Sequence, residues 1–198
     1  MTKRAAVGFR VHSGWAAVVA VSLEKAEPQV LVRRRAHLVE TFTYAFRQPY
    51  HTAEKMPAGE AAGFIAKMRA EAGRLARETI RSVQADVGQQ GYELGCCALL
   101  LASGRALPSL EKILASHALI HTADGELFRE AILSAAKSCK LPAVTMKERE
   151  LLDAASRALR LRKDAIPQRL TALGKPFGAP WSQDEKFAAL AAWLALRG

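Results

Sequence analysis

The run "LGCCALLLAS", residues 94–103, narrows the folds open to this chain more than any other stretch. It is too short for a membrane helix, which needs about 18 apolar residues, and too apolar for a strand with one wet face. Such a segment belongs at the centre of a sheet that is covered on both sides. Sheets of that kind arise where strands alternate with helices.

The flanking sequence supplies both kinds of element. Ala5–His12 and Trp15–Leu23 are strand-like and are separated by Ser13-Gly14, a short turn that predicts a hairpin. After Glu27-Pro28, a third strand over Gln29–Val39 places Val30, Val32, Ala36 and Leu38 at alternating positions. A helix over about Glu60–Val87 repeats Ile65, Met68, Ala72, Leu75, Ala76, Ile80 and Val83 on one face, with Lys67, Arg74, Arg77 and Arg81 on another. Beyond 94–103, the pattern predicts a short helix from Pro108, a helix over Glu126–Lys140, a strand at 143–147 and a helix over Glu148–Arg162. Proline and glycine mark 166–181 as a linker. "SQDE", 182–185, is a capping box that opens a last helix. The expected division is therefore a domain over 1–165, a linker over 166–181 and a C-terminal helix over 182–198.

The order β-β-β-α-β-α-β-α, together with Gly8-Phe9, Gly14 and Trp15-Ala16-Ala17 in the first hairpin, resembles the ribonuclease H-like superfamily. That superfamily includes RuvC-type resolvases and the middle domain of class-1 release factors. The resemblance covers about residues 4–162 and implies an α/β mixed sheet, here with an extra C-terminal helix. In its nucleases, acidic residues on the first strand, near the end of the fourth and near the last helix hold two metal ions. Here the first strand carries Arg10 and His12, and the fourth ends in Ser103-Gly104-Arg105. Only Glu148, Glu150 and Asp153 remain to fit the last position. An arginine where a cation should sit opposes metal binding, so no metal and no cofactor is expected and the chain reads as a non-catalytic binding module.

A formal net charge of +10 favours a polyanion partner, RNA or DNA above all, without naming it. The excess is spread over both halves of the chain. Phosphate contacts are expected from Arg10, Arg33, Arg34, Arg35, Arg47 and the helical face of Lys67, Arg74, Arg77 and Arg81. On a strand, two of the three consecutive arginines point one way and one the other, and an edge strand also uses such charge against aggregation. Phe42, Tyr44, Phe46 and Tyr50 form an aromatic connection that ends in Tyr50-His51. It reads either as inward packing or as a stacking platform beside Arg47. With no apolar run long enough to span a bilayer and no secretory signal, no membrane partner is expected and the location reads as cytoplasmic. Cys96, Cys97 and Cys139 lack metal-type spacing and read as small core residues of a reducing compartment.

Two other classes of function stay open. "HALIHTADGELFR", 117–129, offers His117, His121, Glu126 and Arg129 which, with His12, would suit an enzyme or small-anion site. Helix caps and packing histidines explain the same residues, with Thr122 or Asp124 capping a helix at Gly125. A zinc site on His117 and His121 would need Asp124 or Glu126 as a third ligand, without the pattern of a His-Glu-x-x-His motif. Separately, Phe187, Leu190, Trp193 and Leu194 give the last helix an apolar face, which would suit docking on a second copy as a homodimer.

Overall fold

The structure, a computed structural model, describes residues 3–102 and 106–197. Strands β1 (Lys3–His12) and β2 (Trp15–Glu24) pair antiparallel from Ala5↔Ser22 to His12↔Trp15. The tight turn between them places Gly14 at φ +81°, a backbone conformation that glycine adopts freely. β3 (Glu27–His37) adds antiparallel to β2. Two short helices, α1 (Tyr44–Arg47) and α2 (Pro49–Ala53), then lead into α3 (Ala58–Gln89).

β4 (Tyr92–Leu101) returns parallel to β1. It is followed by α4 (Leu110–Leu114), α5 (His117–Ser138) and β5 (Ala143–Lys147), which lies parallel to β4. Helices α6 (Leu151–Leu159), α7 (Ile166–Gly174) and α8 (Gln183–Ala195) complete the chain. The five strands lie in the order β3-β2-β1-β4-β5.

The pleat sorts β1 between two cores. Ala5, Val7, Phe9 and Val11 face a core shared with α3 and α5, while Ala6 faces a second core built with α6, α7 and α8. β4 contributes Cys97 and Leu99 to the first core and Ala98 and Leu100 to the second, as a strand covered on both faces should. Cys97 is fully buried, and burial pushes its thiol up to about 12, which suits a core residue.

Three segments differ from the sequence expectation. Helix α5 begins at His117, not Glu126, because Ile120, Ala123 and Leu127 continue one buried stripe through Gly125. Gly125 leaves space for Arg129, whose guanidinium lies 2.8 Å from where a Cβ would stand. Residues 166–181 hold α7 and a 3₁₀ turn over Lys175–Phe177. The Trp181 ring lies against Gly174, and its indole N–H donates to the Leu170 carbonyl at 2.7 Å. Finally, α8 lies flat on β1, β2 and β4, with Ala188 to Leu194 buried. The apolar face that suggested a second copy is thus covered by the chain's own sheet. Each large side chain buried this way contributes about 1.5–3 kcal/mol. Among the described residues, no helix is long and apolar enough to cross a membrane.

Candidate functional site

Arg10 and His12 project from the face of β1 that α8 covers. The expected capping box is formed, with Ser182 accepting from the Glu185 backbone N–H and Glu185 accepting from that of Ser182. It anchors the first turn of α8 above β1 and brings Asp184 onto both residues. Arg10 Nε donates to Glu148 Oε2 at 2.9 Å, its Nη2 donates to the other Glu148 oxygen, and its Nη1 donates to Asp184 Oδ1. His12 Nε2 lies 2.8 Å from the same Asp184 oxygen. This is a forked, charge-assisted arrangement. The hydrogen bond to Glu148 is the chief cause holding the guanidinium above the usual arginine range, against the opposing effect of burial.

A divalent ion does not fit between carboxylates that a guanidinium already bridges. Of the acidic residues expected at the last position, Glu148 reaches Arg10, whereas Glu150 pairs with Lys147 and Arg149, and Asp153 with Lys163. Asp184 went unanticipated because the capping box already gave the first turn of α8 a local role. Ser103-Gly104-Arg105 lie outside the described residues.

Beside this cluster, at the C-terminal ends of β1 and β4, a groove of about 320 Å³ is lined by His12, His121, Glu126 and Arg129, with Val11, Ser13 and Ala102. Four of the five candidates for an enzyme or anion site therefore meet. Arg129 Nη1 donates to Glu126 Oε1 at 3.0 Å. His117 lies one turn before His121, and their Nε2 atoms are 3.0 Å apart. His51, missed as a site residue, faces both rings. Its Nδ1 is paired with Asp124, whose other oxygen accepts the Tyr50 backbone N–H at 2.7 Å. Asp124 therefore serves α2, not the start of its own helix. Burial pushes its carboxyl above the usual range, opposed by the hydrogen bonds from His51 and Tyr50. The Tyr50-His51 pair at the end of the aromatic connection was the available sequence signal.

The basic residues do not share one surface. Arg33 and Arg35 point toward α8, and Arg34 toward α3, where it binds Asp86 and Ser82. Arg33 is held by Glu185 at 2.7 Å. Lys67, Arg74, Arg77 and Arg81 belong to α3, across the sheet from Arg10 and Arg33, and Arg74 is paired with Glu78 and Glu40. Around the first hairpin, cations and rings form a row. His12 stacks on Trp15 with ring centroids 4.4 Å apart. Arg35 lies 3.9 Å from the Trp15 ring and 5.4 Å from that of Phe42, and Arg47 lies 4.5 Å from Phe42, on which His37 also stacks at 4.5 Å. Phe42 and Tyr44 are exposed, at 37% and 61%, because the chain bends into α1 instead of extending β3. Inward packing is confined to Phe46, which stacks on Phe64, and to Tyr50.

The sequence matches no family model and no curated protein. Among solved structures, RuvC from Thermus thermophilus in complex with a Holliday junction substrate is similar, with a TM-score of 0.56 at 11% identity, covering 98% of this chain and 93% of that one. The yeast mitochondrial Holliday junction resolvase Ydc2 is similar with a TM-score of 0.52 at 10% identity, over 97% of this chain and 77% of its own. With this sheet order, helices on both faces and a likeness spanning nearly its whole length, the chain has a ribonuclease H-like α/β fold.

Proposed function

We propose that this chain is a nucleic-acid-binding module that contacts RNA or DNA through the hairpin platform and does not perform two-metal cleavage. The observation that carries this reading is the row His12, Trp15, Arg35, Phe42 and Arg47. Alternating guanidinium and aromatic planes are the surface on which unstacked bases and phosphates are held. Arg35 is exposed, and among the described residues it has no carboxylate partner, so its charge stays available. The solved structure of RuvC with a junction supports the same class of ligand. The Arg10 bridge supports the absence of metal-assisted cleavage, since it neutralises Glu148 and Asp184 with the protein's own cation.

Filter binding to labelled single-stranded RNA, duplex DNA and a four-way DNA junction over a salt series tests this reading. Binding at low salt should weaken steeply as salt rises. Arg35→Ala/Phe42→Ala should weaken it about tenfold or more and flatten the salt slope by about one. No binding to any of the three at low salt, or a double variant that binds like the parent, contradicts the proposal.

A second reading, small-anion binding in the groove, is favoured by Arg129 Nε, which is buried without an acceptor among the described residues. Its weakness is that Glu126 neutralises Arg129, and Asp184 engages His12. Competition by inorganic phosphate in the same titration, abolished by Arg129→Ala but not by Arg35→Ala/Phe42→Ala, would select it.

A further inference from the structure

We infer that His51, His117 and His121 form a site for one divalent transition-metal ion, with Asp124 positioning His51. One ligating atom from each histidine lies within 4.8 Å of those of the other two. A tetrahedral ion with Zn–N bonds near 2.0–2.1 Å requires its nitrogens roughly 3.3 Å apart. His117 Nε2 and His121 Nε2 already stand at 3.0 Å. These two residues are four apart on α5, so the helix itself sets their spacing. The three rings meet edge to face, with centroids 4.4, 4.5 and 5.5 Å apart and interplanar angles of 69°, 80° and 89°. Since the imidazole lone pair lies in the ring plane, rings turned this way can direct lone pairs at a common point, which parallel stacked rings cannot.

The surroundings of His51 match those of a metal-ligating histidine. Its Nδ1 is committed to Asp124, which leaves Nε2 as its free nitrogen. A buried carboxylate that holds the far nitrogen of a ligating histidine is the usual outer-shell device of metal sites, setting the tautomer and the ring direction. Asp124 is 2% exposed and is itself fixed by the Tyr50 N–H. A role as a cap for α2 accounts for the Tyr50 contact. It gives no reason for two further imidazoles to converge on His51. Three neutral nitrogens with no carboxylate among them suit zinc, cobalt, nickel or copper and do not suit magnesium or calcium. His51 is buried while His117 and His121 are exposed, so a fourth position would open to solvent, next to the groove that His121 also lines. The inference stands independently of nucleic-acid binding.

Calorimetric titration of tag-free protein with Zn2+ tests it, with Co2+ as the optical probe. One ion per chain is expected, and Co2+ should develop the visible bands of a tetrahedral nitrogen-rich site. His117→Ala and His51→Ala should each weaken Zn2+ binding by about a hundredfold or more, and Asp124→Asn by about ten- to a hundredfold. Because His51 and Asp124 are buried, nitrogen NMR of the parent protein gives a readout that survives misfolded variants. Saturating Zn2+ should shift His51 Nε2, His117 Nε2 and His121 Nε2 while His51 Nδ1 keeps its proton. No one-to-one binding overturns the inference. So does a folded His51→Ala variant that binds Zn2+ like the parent, which would show an exposed histidine pair only. A His51 Nε2 resonance unmoved by Zn2+ overturns it equally.

Discussion

Replacing Arg10 by alanine is expected to destabilise the chain by about 3 kcal/mol and to make its stability respond to divalent cations. Arg10 donates through three nitrogens to Glu148 and Asp184, and hydrogen bonds between charged groups contribute about 1.5–3 kcal/mol each. The total falls well short of three such bonds because the two carboxylates are 35% and 23% exposed and regain water when the guanidinium is lost. What remains is two carboxylates gathered at one place without the cation that bridges them. Mg2+ should therefore raise the melting temperature of Arg10→Ala and leave that of the parent unchanged. Arg10→Lys should recover only part of the loss, because an ammonium cannot reproduce the fork. Denaturant and thermal unfolding with and without Mg2+ measure these effects. A change within about 0.5 kcal/mol, as for an ordinary surface substitution, would show that the bridge does not hold α8 to the sheet.

Gly8→Ala should cost about 3 kcal/mol or more, at the upper end of overpacking effects. Gly8 sits mid-strand, paired with Val19 on one side and Ala98 on the other. A strand glycine exchanged for alanine would ordinarily gain about 0.5–1 kcal/mol from reduced chain entropy. Here the added Cβ would lie 1.9 Å from the Ala188 carbonyl oxygen and 3.1 Å from the Ala192 nitrogen. The steric effect wins because both are backbone atoms of a packed helix, which no rotamer change can move. For the same reason Ala188→Gly should not rescue the variant. Helix α8 must shift as a unit, which also draws Asp184 and Glu185 away from Arg10 and Arg33. The loss should therefore appear in chemical denaturation and as altered NMR shifts at His12.

Much of the fold was legible because its signals are local. Alternation over the first forty residues, the apolar run that forms β4 up to Leu101 and the capping box at Ser182 each reflect neighbours close in sequence, and each element formed. The start of α5 was hidden because Thr122, Asp124 and Gly125 carry a plausible cap pattern that tertiary burial overrides. Residues 166–181 are rich in proline and glycine, yet Ile166, Leu170 and Trp181 anchor them.

The candidate site divided in the same way. Arg10 was readable as an obstacle to metal binding, but its partners Glu148 and Asp184 are 138 and 174 residues away. The histidine cluster joins His51 to a helix that starts 66 residues later, and no spacing rule links them. Strand alternation already separates Arg34 from Arg33 and Arg35, whereas the place of the basic α3 face across the sheet from Arg10 and Arg33 follows from packing that charge does not encode.

On the proposed function, a surface of ribonuclease H-like fold binds nucleic acid without cutting it because Arg10 takes the place of a metal ion. A single gel assay with a labelled four-way DNA junction and labelled RNA, in Mg2+ and in chelator, tests it most directly. A retarded complex with intact strands is expected in both conditions. Mg2+-dependent cleavage by the parent protein, or no retarded complex with either ligand at low salt, would contradict it.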